Sequence, residues 1–322
     1  MFILGLDIGF GDCKVVLGNE AGEIIKKFKF PSMVAITKHL EGVENPNIYE
    51  YDGNFYMVGD DAKHLPSENF IDLKDYNNLE YYAPLLIQKS LRDCNIANSD
   101  VNLIVTGLSI AQIQNSGYFQ NAIESYTVNG NEFKNNIIVL PQGAGAKLTV
   151  DKYGNKFPNQ QTEFLGSSSY VVCDIGFNTI DLLLVNDGLT DPNLFQGIEH
   201  SGIMKIATDV AKLIKEKHNK NLSLQEAKEV LNTGIYKLRG SKTDYTAEIK
   251  EIKANYLKEI LKIINEKYGN IIDKIDFLII LGGGSYLFAN SDDGFIRVVH
   301  NNSEFYNAIG EYLYGIKKLN SK

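Results

Sequence analysis

The chain has 322 residues and a formal net charge of −8, a sign that argues against a general nucleic-acid-binding surface. Hydrophobic residues make up 44% and charged residues 22%, the balance of a soluble globular chain with room for two ordinary domains. Cys13, Cys94 and Cys173 are odd in number and far apart, which argues for a reducing compartment and against both a disulfide framework and a zinc site.

The N-terminus enters directly on the strand-like run "FILGLDI" and lacks the basic start and small-residue cleavage site of a signal peptide. Between this run and "CKVVLG" lies a turn containing Gly9 and Gly11, and "EIIKKFKF" follows a second turn at Asn19–Gly22. "IYEYDGNFYMVG" reads as a hairpin on Asp52-Gly53, a pair suited to a type I′ turn. A helix is expected over "LEYYAPLLIQKSLRDC", then a buried strand "VNLIVTG", a hairpin turning on Asn129-Gly130, and a strand "NIIVL" that runs into Pro141. The polar stretch "DKYGNKFPNQQTEFLGSSS" reads as an exposed loop.

Beyond that loop the pattern restarts. "SSSYVVCDI" and "TIDLLLV" form a second hairpin around Gly176. In "GIMKIATDVAKLIKEKH", Ile203, Ile206, Ala207, Val210, Leu213 and Ile214 make one apolar stripe at helical period. "SLQEAKEVL" carries a capping box, Ser223 with Glu226, and Gly234 as its stop; a long helix then ends at Gly269. The strand "IDFLIIL" meets a triple glycine expected to lead into a helix, and "SEFYNAIGEYLYGIKKL" is the last helix. "FLIIL" has the length of a buried strand, and no apolar run approaches a membrane span. Two similarly ordered halves imply a duplicated α/β unit.

Both halves open on the same tetrapeptide, Asp-Ile-Gly-Phe, at Asp7 and at Asp174. One copy is ordinary hairpin chemistry; two copies, each opening a half of a duplicated chain, point to phosphate. Glycine lets such a turn bring backbone N–H groups close to an anion. An Asp at the strand end would repel phosphate and suits Mg²⁺ or its waters instead. Lys14 either reaches a β- or γ-phosphate or is a solvated strand lysine; Asp181 is either a second acid of the site or a solvated strand residue. Gln142, in "VLPQGAGA" at the junction of the halves, either orients a water for attack on a γ-phosphate or is a hinge glutamine. Gly282-Gly283-Gly284 can lie flat against a base or ribose.

In this order the motifs resemble those of the actin superfamily. Asp7-Ile8-Gly9-Phe10-Gly11 with Lys14 is similar to its first phosphate loop, "PQGAG" to its first connecting segment and "DIGFNTID" to its second phosphate loop. "LGGGS" is similar to its adenosine motif, "NAIG" to its second connecting segment, and "YMVGDDA" to the stretch after its early hairpin. The resemblance implies two duplicated actin-like (ribonuclease H-like) α/β domains with the nucleotide in the cleft between them. Domain I would cover 1–146, completed by the C-terminal helix 303–322, and domain II 147–302.

The resemblance also implies roles. Asp7 and Asp174 would organise Mg²⁺ and water, and Gln142 would position the attacking water. Gly9, Phe10, Gly11, Asp12 and Lys14, with Gly176, Phe177, Asn178 and Thr179, would surround the phosphates, and Gly282, Gly283, Gly284 and Ser285 would pack on adenosine. Phe10 stands where the family often has a small hydroxyl, so phosphate there would rest on backbone groups, and Lys228 and Glu229 match the nucleoside-contacting region only loosely. The glycines do not read the purine edge, leaving ATP and GTP both open. Compact length and the neutral Gln142 most resemble ParM-type plasmid-segregation actins and their archaeal relatives. That implies a cytoplasmic, nucleotide-driven filament whose partners are its own copies and a DNA-binding adaptor, without direct nucleic-acid or membrane binding. The alternative is a non-polymerising small-molecule kinase or regulatory ATPase. A peptide-binding chaperone is not expected, because the chain ends just beyond the last helix, and "GIKKLNSK" is too short for a membrane-anchored scaffold.

Overall fold

The computed structural model describes residues 1–38, 45–73, 75–153, 168–289, 291–292 and 294–321. The chain divides into two compact units, Met1–Tyr153 with Glu304–Lys322, and Gly154–Ser303.

In the first unit, β1 (Phe2–Ile8), β2 (Asp12–Asn19) and β3 (Ile24–Pro31) form an antiparallel meander. A small sheet follows from β4 (Val34–Thr37), β5 (Ile48–Tyr51) and β6 (Asn54–Val58). Asp52 and Gly53 both adopt positive φ, 47° and 73°, as a type I′ turn requires. Helix α1 (Tyr76–Cys94), capped by Asp75 and closed by left-handed Asn95, leads to β7 (Val101–Leu108). Helix α2 (Ser116–Glu124), the hairpin β8 (Ser125–Val128) and β9 (Asn131–Lys134), β10 (Ile137–Pro141) and helix α3 (Ala144–Tyr153) complete the run. The main sheet has the order β10-β7-β1-β2-β3, with β7 and β10 parallel to β1. The C-terminal helix Tyr306–Asn320 packs on this unit, with Tyr312 fully buried beside Ile3 and Val16.

Helix α3 had no expectation from the sequence, and the expected boundary at residue 146 falls inside it. Its start is made by a distant residue: Asn307 Oδ1 accepts from Gly143 N at 2.9 Å and Ala146 N at 3.1 Å, acting as an N-cap supplied from the C-terminal helix. The two helices touch backbone to backbone, since a Cβ on Gly310 would stand 1.7 Å from the Gly145 carbonyl oxygen. Glycine at both crossing points is what allows this approach.

In the second unit, β11 (Tyr170–Ile175) and β12 (Ile180–Asn186) form the second hairpin, edged by β13 (Leu189–Thr190) and β14 (Gln196–Ile198). Helix α4 (Ile203–His218) buries Ile203, Ile206, Ala207, Val210 and Ile214 as its stripe requires; burying one such aliphatic side chain is worth about 1.5–3 kcal/mol. Leu213 of the expected stripe is partly buried and packs against the same core. Helix α5 (Leu224–Thr233) has the expected capping box and ends at Gly234, φ 74°. A hairpin not expected from the sequence, β15 (Ile235–Leu238) and β16 (Ser241–Asp244), precedes α6 (Thr246–Tyr268), which ends at Gly269. Then come β17 (Phe277–Leu281), β18 (Ser291–Asp292) and β19 (Ile296–Val298). The central strand β11 is antiparallel to β12 and parallel to β17, which is in turn parallel to β19, repeating the arrangement of β1 with β2, β7 and β10. This repeat is the duplication expected from the sequence.

One expected element is corrected: the triple glycine leads into a single 3-10 turn, Ser285–Leu287, rather than a helix. The expected loop over 151–169 is described only at its ends, with 151–153 inside α3 and 154–167 outside the described residues.

Candidate functional site

Asp7 sits near the end of β1, the central strand of its sheet, and is 3% exposed. The β1–β2 register places it opposite Lys14, so the two side chains emerge on one face as a cross-strand pair. Lys14 Nζ donates to Asp7 Oδ2 at 3.0 Å. Gln142 Nε2 donates to the other oxygen, Oδ1, at 2.8 Å, while its backbone N–H donates to the Leu108 carbonyl. Asp7 is thus held on both oxygens, by a cation on one and a neutral amide on the other.

The first turn is fixed from below. Ser32 Oγ donates to the Gly9 carbonyl at 2.6 Å and Ser32 N donates to the Gly11 carbonyl at 3.1 Å. Both carbonyls are spent on protein. A Cβ on Gly9 would lie 3.0 Å from both Lys14 Nζ and the Asp12 carbonyl oxygen, so the bare backbone leaves space for the amine. Phe10 packs partly buried against the unit's core, and Asp12 begins β2 opposite Pro31.

The second unit has the same hairpin with one chemical exchange. Asp174, near the end of β11, faces Asp181 on β12 where Asp7 faces Lys14. Asp174 is 7% and Asp181 2% exposed, which corrects the solvated-strand alternative for Asp181; Thr179 Oγ1 donates to Asp181 at 3.1 Å. The carbonyls of Gly176, Phe177 and Asn178 accept from the backbone N–H groups of Ile203, Met204, and Ser201 with Gly202. Gly202 has no room for a side chain there, because its Cβ would lie 2.6 Å from the carbonyl oxygens of Gly176 and Phe177. Lys228 Nζ stands 5.6 Å from the Phe177 ring centroid, bringing α5 to the turn.

The glycine triplet packs on the same hairpin. A Cβ on Gly282, at φ 84°, would stand 2.1 Å from Asp174 Oδ1, and one on Gly284 would stand 2.2 Å from Ile175 Cγ2. Gly283 is the open member, its nearest neighbour being Ile203 Cδ1 at 3.9 Å. Ser285 is fully buried and its hydroxyl donates to the Val299 carbonyl at 2.6 Å, so that group serves the fold.

Within the first unit the structure therefore brings Asp7, Lys14 and Gln142 together, and within the second Asp174, Phe177, Thr179 and Gly282. The sequence reading missed Ser32, Asn307, Glu311, Gly107 and Gly202, which support these clusters. Of these, Gly107 carries a local signal as a glycine inside an apolar strand, and Asn307 lies in the "NAIG" motif already singled out. Burial pushes the Cys13 and Cys173 thiols far up and Cys94 to about 11, which disfavours the thiolate at each of them.

Two repeats of one α/β unit, each opening on an Asp-bearing glycine hairpin, define the architecture of the actin-like ATPase families. The family model described as "Actin like proteins N terminal domain" matches residues 5–145, and "Archaeal actin homologue MreB-like, C-terminal" matches residues 172–291. The chain belongs to the actin-like proteins. No protein of the curated set matches it. Among solved structures, that of Ta0583, an archaeal actin homolog, is similar at 22% identity and a TM-score of 0.76, covering 98% of this chain and 100% of that one. Ta0583 in complex with ADP is similar at 22% identity and a TM-score of 0.73, with coverage of 98% and 100%. A 15-stranded ParM filament from Clostridium botulinum is similar at 20% identity and a TM-score of 0.74, with coverage of 98% and 99%. Among the described residues no helix is long and apolar enough to cross a membrane.

Proposed function

We propose that this chain is an actin-like ATPase that binds Mg·ATP through its DIGF hairpins, hydrolyses it, and forms filaments whose lifetime the hydrolysis sets. The observation that carries this reading is the double hold on Asp7 by Lys14 and Gln142.

With its N–H directed to Asp7, the Gln142 amide has its carbonyl oxygen as the remaining acceptor for a water proton. A neutral amide cannot take that proton, so its contribution is orientation of the attacking water in line with the γ-phosphorus. Lys14 has three donors, enough to keep Asp7 and hold a phosphate oxygen as well. Asp7 itself carries negative charge and faces water or a cation better than phosphate.

The residues fit a magnesium ion. Asp174 and Asp181 face each other across β11 and β12, both removed from water, and two like charges there favour a cation nearby. Among the described residues no group of three or more His, Cys, Asp or Glu forms a metal cage. Mg²⁺ takes one or two carboxylates and completes its shell with water and phosphate oxygens. When bound, the ion would neutralise charge on the transferring phosphate. Asp7 and Asp174 are the residues we assign to it. The phosphates would rest on the backbone of Gly9, Phe10, Gly11, Gly176, Phe177, Asn178 and Thr179, and the nucleoside on Gly283 beside Phe177 and Lys228.

The ADP complex of Ta0583 supports an adenine nucleotide for this chain, and the ParM filament supports self-assembly. In our reading the filament positions DNA or another cargo in the cytoplasm through an adaptor protein, since a net charge of −8 does not favour direct DNA binding. Right-angle light scattering on adding Mg·ATP, with electron microscopy of the product, tests assembly. A rise in scattering with visible filaments is expected. ADP formation that appears only with an acceptor such as a sugar, without release of inorganic phosphate and at a rate per molecule independent of protein concentration, would replace this reading with a small-molecule kinase.

A further inference from the structure

Glu311, on the C-terminal helix, is 1% exposed, and a carboxyl removed this far from water is expensive to keep without a task. It lies against the backbone of Gly107 in β7. A Cβ on Gly107 would stand 2.4 Å from Glu311 Oε1 and 3.1 Å from Gln142 Cγ. The Glu311 carboxyl and the stem of Gln142 therefore share the space that a side chain at position 107 would fill. Glu311, Asp7 and Lys14 each act electrostatically on the buried Cys13 thiol.

A primary amide presents two chemically opposite ends, and either can face a given neighbour. Gln142 serves as a water acceptor only while its NH₂ end faces Asp7. A second acid beside the Gln142 stem favours the donor end on the buried, acidic side and leaves the carbonyl oxygen outward. We propose that Glu311 is a positioning residue that holds the Gln142 amide in the orientation it has toward Asp7. This rests on the ATPase reading above.

Two variants reach the contact from opposite sides. Glu311→Gln removes the charge and keeps the volume, while Gly107→Ala drives a methyl group between the carboxyl and the Gln142 stem. Each is expected to slow phosphate release by about tenfold or more while ATP affinity stays within a few-fold, because a displaced water-positioning group costs the reaction and spares the ground state. In protein carrying nitrogen-15 glutamine, the Gln142 side-chain signals, assigned by their loss in Gln142→Ala, should shift in Glu311→Gln. Wild-type phosphate release from both variants with unmoved Gln142 signals overturns the proposal, and so does a loss of ATP affinity as large as the loss of rate. If the wild-type protein releases no phosphate, the ATPase reading fails, and the Gln142 signals alone decide whether Glu311 positions that amide.

Discussion

Gln142 and Asp7 stand 135 residues apart in the chain, yet the Gln142 amide donates to the Asp7 carboxylate over 2.8 Å. The bond joins the strand that opens the first unit to the segment that leaves its sheet at Pro141. It makes the candidate water-positioning group and the candidate metal-facing group one mechanical piece, which separates chemistry from binding in a testable way.

Gln142→Ala should slow hydrolysis by roughly 10²–10⁴, the range for a positioned group acting on a reacting proton or water. ATP affinity should stay within a few-fold, because the residue carries no charge. Phosphate release and nucleotide affinity measured on one preparation decide the matter: an unchanged rate removes Gln142 from the mechanism, and a parallel collapse of affinity makes it a residue that shapes the site.

Nucleotide should raise the melting temperature in the presence of Mg²⁺ and not in its absence. At a hundredfold excess over Kd the linkage is worth about 2.7 kcal/mol. Asp7→Ala and Asp174→Ala should each abolish most of the shift, as should Gly282→Ala, whose methyl group would collide with Asp174. Undiminished shifts in the two Asp variants would return both hairpins to a purely structural role.

Gly310→Ala tests the helix crossing. Its Cβ would meet the Gly145 carbonyl oxygen at 1.7 Å, with backbone rather than a flexible side chain in the way. Overpacking of this kind costs about 1–3 kcal/mol, so the melting temperature should fall by roughly 3–10 °C. A melting temperature equal to wild type would show that the two helices do not cross this closely.

The capping box of α5 makes a prediction about pH. Hydrogen bonds from the Ser223 hydroxyl and backbone hold the Glu226 carboxyl below the usual glutamate range. A depressed folded pKa means that the contribution is complete above the unfolded pKa and is lost as pH falls through the folded one. Glu226→Ala should therefore melt below wild type at neutral pH, by an amount of about 0.3–1 kcal/mol, and the two curves should converge in acid. A gap that does not change with pH would mean that the charge of Glu226 contributes nothing.

The local features were legible in the amino-acid order because the forces behind them act over a few residues. The Asp52-Gly53 and Asn129-Gly130 turns, the Ser223–Glu226 box, the α4 stripe and both Asp-x-Gly hairpins depend on backbone preference and short-range pairing. The Asp7–Lys14 pair was not legible in this way: the sequence left Lys14 either on a phosphate or in solvent, and the β1–β2 register decided it. Helix α3 was not legible, because its first N–H groups are capped by Asn307 and its glycines are chosen to fit a helix far along the chain. Nor did the sequence distinguish a working Ser285 from one whose hydroxyl is bound to Val299, or a solvated Asp181 from a buried one. Asp-Ile-Gly-Phe, repeated at the opening of two similarly ordered halves, pointed to the duplicated α/β architecture. That Gln142 reaches Asp7, and that Glu311 and Gln142 both stand against Gly107, was decided by tertiary packing, since burial and contact depend on segments brought together from opposite ends of the chain.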